Sequence, residues 1–298
     1  MNKSIAITFS TFLLSSISFR VIGDSFIDLE LTLSSNDNIS NASDNEISDN
    51  LYQLELTYGQ YHYLDDGLFF NWFASLDYTQ YSSWSTFDHV VLNTGIELEK
   101  KIGMGAYVPV VGVDVSFSNK NYNVDIRDGI DTAIRVFWKK RLNERWDTSV
   151  ALGFSQYHTK HNIEGDIQAP TTPMNTLSFD AFAVSQKHLS ANTQVSLNEK
   201  NSISMGVEYS DGDITSTVMS SSWMPELVTA RVPDTAIGEG YYAYRLDGKM
   251  LSLNLEWDYI LSDEYTFRAS YQSSNINSDL GSYEYKRKKI SLTIIKYF

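Results

Sequence analysis

Carboxylates recur at every second position in several segments of this sequence. Asp28 and Glu30 alternate with Ile27, Leu29 and Leu31, so acids and apolar side chains lie on opposite faces of an extended chain. A charge is costly against an apolar medium, so these acids must line a polar interior or a solvated face. The lining residues that this alternation predicts to be functional are Glu55, Glu97, Asp114, Arg135, Glu256 and Arg268. Such a lining favours cations or polyols, but the same charges could equally pair with one another and fill the interior.

The longest polar segment, residues 213–245, is the second place where chemistry is expected. It contains Trp223 and Met224, and near its end Tyr241 and Tyr242. A loop of this length in a compact domain is usually functional. We therefore expect a constriction folded into the interior, or a binding surface whose tyrosines could stack on sugars. The alternative is a loop that packs on its neighbours without a ligand.

The elements that must position these residues are alternating segments separated by polar ones. About twelve such segments can be delimited, each close to the length that a tilted membrane strand needs, roughly 9–11 residues. They are 25–34, 51–63, 68–81, 88–100, 104–118, 130–141, 146–159, 176–196, 202–212, 246–260, 265–275 and 285–298. The segment 176–196 changes phase near Gln186, which predicts a bulge or an extra bend there.

Short turns alternate with long segments along the chain. Five short turns, such as Leu64-Asp65-Asp66-Gly67 and Leu261-Ser262-Asp263-Glu264, are rich in turn-forming residues. Long polar segments follow the intervening strands. This asymmetry and the even strand count predict an antiparallel up-and-down transmembrane β-barrel of about 12 strands, with 10–14 as the range. A soluble β-sandwich has the same alternation and is the alternative.

The last predicted strand carries the most specific pattern in the chain. Ile290, Leu292, Ile294 and the terminal Phe298 share one face. This strand resembles the C-terminal signal of Gram-negative outer-membrane β-barrel proteins. The resemblance implies an outer membrane of a Gram-negative bacterium, both termini in the periplasm, assembly by the barrel-assembly machinery, and contact with outer-membrane lipid and lipopolysaccharide.

The first residues and the composition agree with export. A short apolar run after Lys3 predicts a signal peptide over 1–23, with cleavage after Gly23 or after Ser18, and a barrel over 24–298. The chain has no cysteine, so it contains no disulfide. Its net charge of −14 argues against nucleic-acid binding, which needs a basic surface. The oligomeric state is not predicted.

The sequence does not contain the sets of catalytic residues that known membrane-embedded hydrolases use. His158 lies on an apolar row, but the residue two positions further along that row is Lys160 rather than serine. Asp88 and His89 are adjacent, so their side chains point to opposite faces of a strand. We therefore predict no hydrolase activity, no metal site and no cofactor. The expected function is a narrow channel for small hydrophilic solutes or oligosaccharides, with a non-conducting structural or accessory barrel as the alternative and a membrane-embedded hydrolase as the least favoured.

Overall fold

The computed structural model describes residues 23–65, 67–160, 180–219, 230–278 and 283–298. Within them the chain forms thirteen β-strands joined by turns and loops. The strands are β1 Gly23–Asn36, β2 Asp49–Asp65, β3 Leu68–Tyr81, β4 His89–Lys101, β5 Val110–Tyr122, β6 Gly129–Arg141, β7 Trp146–Thr159, β8 Val184–Ser196, β9 Asn201–Met219, β10 Ala230–Pro233, β11 Tyr241–Ser262, β12 Tyr265–Ser278 and β13 Glu284–Tyr297. Two single-turn 3-10 helices, Ser85–Phe87 and Asp125–Arg127, lie in loops. No helix among the described residues is long and apolar enough to cross a membrane.

Twelve of these strands form a closed antiparallel cylinder. Each pairs with its sequence neighbours, and β1 closes the ring by pairing with β13. Along this closing pair the hydroxyl groups of Thr32 and Thr293 lie 2.8 Å apart, and the Ser34 hydroxyl donates to Ser291 at 2.9 Å. The short β10 pairs with β11 alone and stands outside the ring. The structure confirms the predicted twelve-stranded up-and-down barrel.

The two faces of the cylinder separate as the alternation predicts. Leu31, Leu54 and Leu292 are between 46 and 49% exposed and form part of an apolar outer surface. Their sequence neighbours face the interior, which we call the lumen. The short turns lie at one end of the cylinder, the turn rim, and the long loops lie at the other, the loop rim. Both terminal strands, β1 and β13, have their free ends at the turn rim.

The start of β5 differs from the prediction. The sequence pattern placed a strand over 104–118, but β5 begins at Val110, and residues 102–109 form a turn. Pro109 has no amide hydrogen to donate to a strand ladder. Gly103 and Gly105 also have φ of +110° and +114°, which an extended strand does not adopt. These residues end the pairing with β4 at Val110.

The segments around the longest loop differ from the prediction as well. The strand predicted over 176–196 begins only at Val184, and the Asp180 carboxylate accepts a hydrogen bond from the amide of Ala183 at 3.0 Å. Near Gln186, where a bulge or bend is expected, both ladders of β8 keep a regular register, and the β8–β9 ladder ends opposite Gly212, whose φ is +143°. Beyond it β9 and β11 continue together as an extension above the loop rim, and β10 pairs with β11 there as a third strand.

Aromatic side chains in the lumen lie flat over glycines of the neighbouring strand. A Cβ atom on Gly59 would meet the Phe26 ring at 2.4 Å, and one on Gly95 would meet Phe73 at 2.6 Å. Phe137 covers Gly112 in the same way, at 2.3 Å. A ring that covers a glycine shields the bare backbone and packs against the wall. These large side chains therefore line the lumen without standing across it.

Candidate functional site

The lumen wall formed by β1, β2 and β3 carries negative charge only. Between Arg20 and Lys100 the sequence contains no lysine or arginine. Glu30 pairs directly across the strands with Glu55, and Glu55 pairs directly with Asp77. Like charges at directly opposed positions destabilise a sheet, so a solvated lumen or bound counter-ions must compensate them. We call Glu30, Glu55 and Asp77 the acidic row.

Neutral side chains hold two of these carboxylates in place. The Thr57 hydroxyl donates to Glu55 at 3.3 Å, and the Thr79 hydroxyl donates to Asp77 at 3.0 Å. The Gln53 amide also donates to Asp77. Neutral donors orient a carboxylate without cancelling its charge. The acidic row therefore presents fixed negative charge to the lumen.

The wall formed by β4, β5 and β6 instead carries paired charges. The Lys139 ammonium lies 2.6 Å from Glu99 and 3.6 Å from Glu97. The Arg135 guanidinium lies 2.8 Å from Asp114, its direct cross-strand partner. The sequence placed Arg135, Asp114 and Glu97 in one neighbourhood, and the structure brings them together with Lys139 as the cation that serves Glu97.

A third charged group lies on β11 and β12. Arg268 contacts Asp258 at 2.7 Å and Glu256 at 3.9 Å. Glu55, by contrast, has no basic side chain on its own or its neighbouring strands. The six lumen residues predicted from sequence thus fall into three sets: Glu97, Asp114 and Arg135 on the paired wall, Glu256 and Arg268 on β11 and β12, and Glu55 in the acidic row.

The space between these walls divides into cavities along the lumen. A cavity of about 540 Å³ near the turn rim is lined by side chains that include Lys139, Arg141 and Glu256. A second, of about 420 Å³, includes Glu97, Asp114 and Arg135. A third, of about 340 Å³, is lined by Glu55 and Asp77 and also by Lys120 and Lys289. Each is large enough for several water molecules or a small polar solute.

A segment of the loop between β9 and β11 crosses the loop rim. We call residues 230–240 the cap segment. The Thr86 hydroxyl donates to the carbonyl of Ala236, and Ile237 packs against Phe87 and Trp84. The loop that carries Thr86 joins β3 to β4, half a turn around the ring from β9 and β11. A segment that contacts the opposite side of the ring must span the mouth.

A buried ion pair fastens the cap segment. The carboxylate of Asp234 is fully buried and pairs with Arg127, whose side chain is 17% exposed. The Thr217 hydroxyl donates to the same carboxylate at 2.7 Å. The Arg127 guanidinium lies 4.5 Å from the ring centres of both Phe87 and Phe182. Four different connecting regions therefore meet at this one pair.

The loop residues predicted as constriction candidates are placed differently from expectation. Tyr241 and Tyr242 are the first two residues of β11 and pair with Met219 and Val218 of β9, so they belong to a strand and not to a loop. The Tyr242 ring lies 3.9 Å from the Arg231 guanidinium. Trp223 and Met224 lie outside the described residues.

The residues compared above with hydrolase active sites are His158, Asp88 and His89. His158 is exposed on the outer face, and the Asp88 carboxylate accepts a hydrogen bond from the amide of Tyr81 at 2.7 Å. Burial raises the pKa of the Asp88 carboxyl. His89 contacts the carbonyl of Phe87 through Nδ1 at 2.8 Å. Asp88 and His89 thus shape the loop between β3 and β4.

Asp234 and Arg127 are functional residues that the sequence pattern does not mark, because each lies in a polar segment without periodicity. They are 107 positions apart in the chain. No spacing rule connects residues at that distance, so a single sequence carries no signal for the pair that fastens the cap.

Comparison with solved structures identifies the architecture. An outer-membrane channel from Pseudomonas putida F1 superposes with a TM-score of 0.56 at 11% identity, covering 93% of this chain and 96% of that one. This chain has the fold of outer-membrane β-barrel proteins. The resemblance inferred from the last strand is therefore confirmed at the level of fold.

Other outer-membrane barrels superpose less closely. The NanC porin gives a TM-score of 0.45 at 7% identity, covering 91% of this chain and 99% of that one. The beta domain of the Bordetella autotransporter BrkA gives 0.44 at 12% identity, covering 92% and 100%. No family model matches the chain, and the comparison with curated proteins found no match.

Proposed function

We propose that this protein is a narrow channel in the outer membrane of a Gram-negative bacterium, with both termini in the periplasm and the loop rim outside. It passes small hydrophilic solutes or oligosaccharides and favours cations over anions. The observation that carries this proposal is the acidic row, fixed negative charge on a wall that contains no base. Lipopolysaccharide around the barrel and the barrel-assembly machinery during biogenesis are the partners that go with it.

The preference for cations follows from how the lumen charges are arranged. Arg135 and Lys139 on β6, and Arg268 on β12, each lie within 4 Å of at least one acid, so the charges of these groups largely cancel. The acidic row has no such partner on its own strands. A surface that carries charges of one sign and borders a cleft of low dielectric constant raises the local concentration of counter-ions. Cations therefore enter more readily than anions of the same size.

The cap segment sets how open the channel is. It spans the outer mouth and is held by the Arg127–Asp234 pair, so it restricts passage at that end while the acidic row selects ions below it. A closed cap also accounts for the alternative function, a barrel that conducts nothing and serves the cell surface through its loops. Removing the cap distinguishes the two functions.

The first experiment measures ion selectivity of the refolded barrel in a planar bilayer. Reversal potentials in a salt gradient are expected to show cation preference. Replacing the acidic row with amides (Glu30→Gln, Glu55→Gln and Asp77→Asn) should move the permeability ratio toward one. The matched control replaces three carboxylates that face outward, Asp211→Asn, Asp247→Asn and Glu284→Gln. It changes the net charge equally and should leave selectivity unchanged. Anion preference in the natural protein would overturn the proposal.

The second experiment removes the cap without opening the strand ladder. Met219 and Tyr241 are direct cross-strand partners, so residues 220–240 can be replaced by Asn-Gly, the two-residue turn that suits a hairpin. Conductance should rise severalfold while the barrel still shows heat-modifiable migration. A folded variant that stays silent would support the non-conducting barrel instead.

A further inference from the structure

A serine, a histidine and a carboxylate meet in the lumen on three consecutive strands. Ser155 Oγ on β7 lies 2.7 Å from Nε2 of His188 on β8. On the other side of the ring, His188 Nδ1 lies 2.9 Å from the Ser210 hydroxyl and 3.6 Å from a carboxylate oxygen of Glu208, both on β9. The Ser210 hydroxyl in turn donates to Glu208 at 3.3 Å.

This order of groups fixes which nitrogen of His188 carries the proton. A carboxylate beside Nδ1, reached directly and through Ser210, favours the proton on Nδ1. Nε2 is then left with a lone pair directed at the Ser155 hydroxyl. A hydroxyl held on the lone pair of an oriented imidazole is the arrangement that activates serine as a nucleophile.

A cavity and a cation lie beside the imidazole, and Ser155 itself lines a further cavity of about 250 Å³. Arg135, Gly153 and His188 are successive direct partners across β6, β7 and β8, and they line the same cavity of about 420 Å³. Gly153 has no side chain, so the wall between the guanidinium and the imidazole is recessed. Ala133 is the direct partner of Ser155, which makes Arg135 its diagonal neighbour, at about 7–8 Å between Cα atoms. That distance is within reach of an arginine side chain.

Arg135 is the group suited to stabilise developing negative charge. Amides in the β6–β7–β8 ladder are used in strand pairing and cannot form an oxyanion hole of the usual backbone kind. The Arg135 side chain is 52% exposed, and Asp114 engages its Nε. Its terminal nitrogens can therefore donate to an oxygen bound in the recess at Gly153.

We propose that Ser155 is the nucleophile of an acyl-transfer site in the lumen, which hydrolyses small hydrophilic carboxylic esters. Ser155 and His188 are the catalytic residues, Arg135 binds the oxyanion, and Glu208 with Ser210 positions the imidazole. The polar cavity selects esters of polyols or sugars over lipids. This activity is separate from conduction and departs from the expectation, drawn from sequence, that the chain is not a hydrolase.

The reaction balances with water as the co-substrate. Ser155 Oγ forms a bond to the acyl carbon while its proton passes to His188 Nε2. The bond from that carbon to the alcohol oxygen then breaks, and the imidazolium returns the proton to the departing alcohol. Water attacks the acyl-serine in the same way, which releases the carboxylic acid and restores the hydroxyl.

The test is covalent labelling with a small alkyl fluorophosphonate, followed by peptide mass spectrometry. It uses the refolded barrel and the variant in which Asn-Gly replaces residues 220–240, so that the probe has an open route. Ser155 should be labelled, and His188→Ala should slow labelling about 100-fold or more. Ser118→Ala is the control, because Ser118 faces the lumen but hydrogen-bonds to Asn93 instead of a histidine. It should label at the natural rate.

Hydrolysis of p-nitrophenyl acetate separates the roles of the other residues. Arg135→Gln and Glu208→Gln should lower kcat with little change in KM, whereas a purely structural change would reduce the folded fraction and leave both constants of the folded protein unaltered. Heat-modifiable migration reports folding for every variant. Absence of labelling in both folded proteins, or labelling that survives Ser155→Ala, would overturn the proposal.

Discussion

Two arginine–aspartate pairs in this barrel have the same chemistry and opposite surroundings. Arg127 and Asp234 join the cap segment to a loop, with 17% and 0% of their side chains exposed. Arg135 and Asp114 face the lumen, with 52% and 20% exposed. The first pair is sealed by aromatic rings, and the second borders a cavity.

The difference in exposure separates two uses of an ion pair. Water cannot compensate a buried charge that loses its partner, so breaking this pair should strongly destabilise the closed cap. A solvent-exposed ion pair contributes little to stability, because water can solvate either charge when its partner is removed. The cap pair therefore holds a conformation, whereas the lumen pair shapes the potential that a solute meets.

The largest effect is expected from Asp234→Asn. The change leaves the Arg127 guanidinium buried without a counter-charge, at a cost of about 3–5 kcal/mol. Local opening should become more frequent, and amide hydrogen exchange over residues 230–241 should accelerate about 100-fold or more. Mass spectrometry of exchanged peptides measures this, with peptides of β3 as an internal reference. Unchanged exchange would mean that the pair does not hold the cap.

A smaller effect is expected from Thr217→Val. Thr217 is 2% exposed and donates to the Asp234 carboxylate, and a hydrogen bond to a charged group contributes about 1.5–3 kcal/mol. Amide exchange over 230–241 should be faster than in the natural protein and slower than in the Asp234→Asn variant. Thr79→Val is the matched control, since it removes a similar bond to Asp77 in the lumen. It should leave the cap peptides unaffected.

The double variant Arg127→Met with Asp234→Leu should nearly restore the cap. Replacing both buried charges removes their desolvation cost together with their attraction, and such exchanges are often neutral or stabilising. Exchange over 230–241 is expected within about tenfold of the natural rate. Additive loss from the two single changes would show that the residues act independently and would contradict the proposed coupling.

The smallest effect on stability is expected from Asp114→Asn. Its partner Arg135 stays solvated, so the free energy of unfolding of the barrel, measured by thermal denaturation, should fall by about 0–1 kcal/mol. Single-channel reversal potentials should nevertheless shift toward anions, because a fixed negative charge leaves the lumen. A large loss of stability with no electrical change would reverse the contrast between the two pairs.

The lumen could be predicted from sequence because a barrel wall obeys one local rule. Along β1, Glu30 faces the lumen and Leu31 faces outward because successive side chains alternate, and lipid outside and water inside keep that rule throughout the wall. By the same rule Glu55 and Arg268 face the lumen. Their partners were harder to predict, since pairing depends on the register between strands.

The length of segment 213–245 indicated a constriction, but the contacts that hold the cap could not be predicted, because the alternation rule fails above the loop rim. Ala243 and Tyr244 are neighbours on β11, yet both are at most 1% exposed, because loops cover both faces of the extension. Burial on both faces removes the alternation that marks a strand. The sequence pattern therefore does not mark Tyr241 and Tyr242 as strand residues, and it gives no signal for the Arg127–Asp234 pair, which forms between distant segments.

The seam between β1 and β13 determines how the barrel can fold. Thr32 and Thr293, which meet there, are separated by 261 positions, so this contact is among the least local in the molecule. Contacts of such long sequence separation form slowly, so the hairpins of neighbouring strands can assemble before the β1–β13 seam closes. Until β13 docks, β1 presents an unsatisfied hydrogen-bonding edge that can recruit a strand from another chain. Ring closure is thus the step at which this protein is most exposed to aggregation.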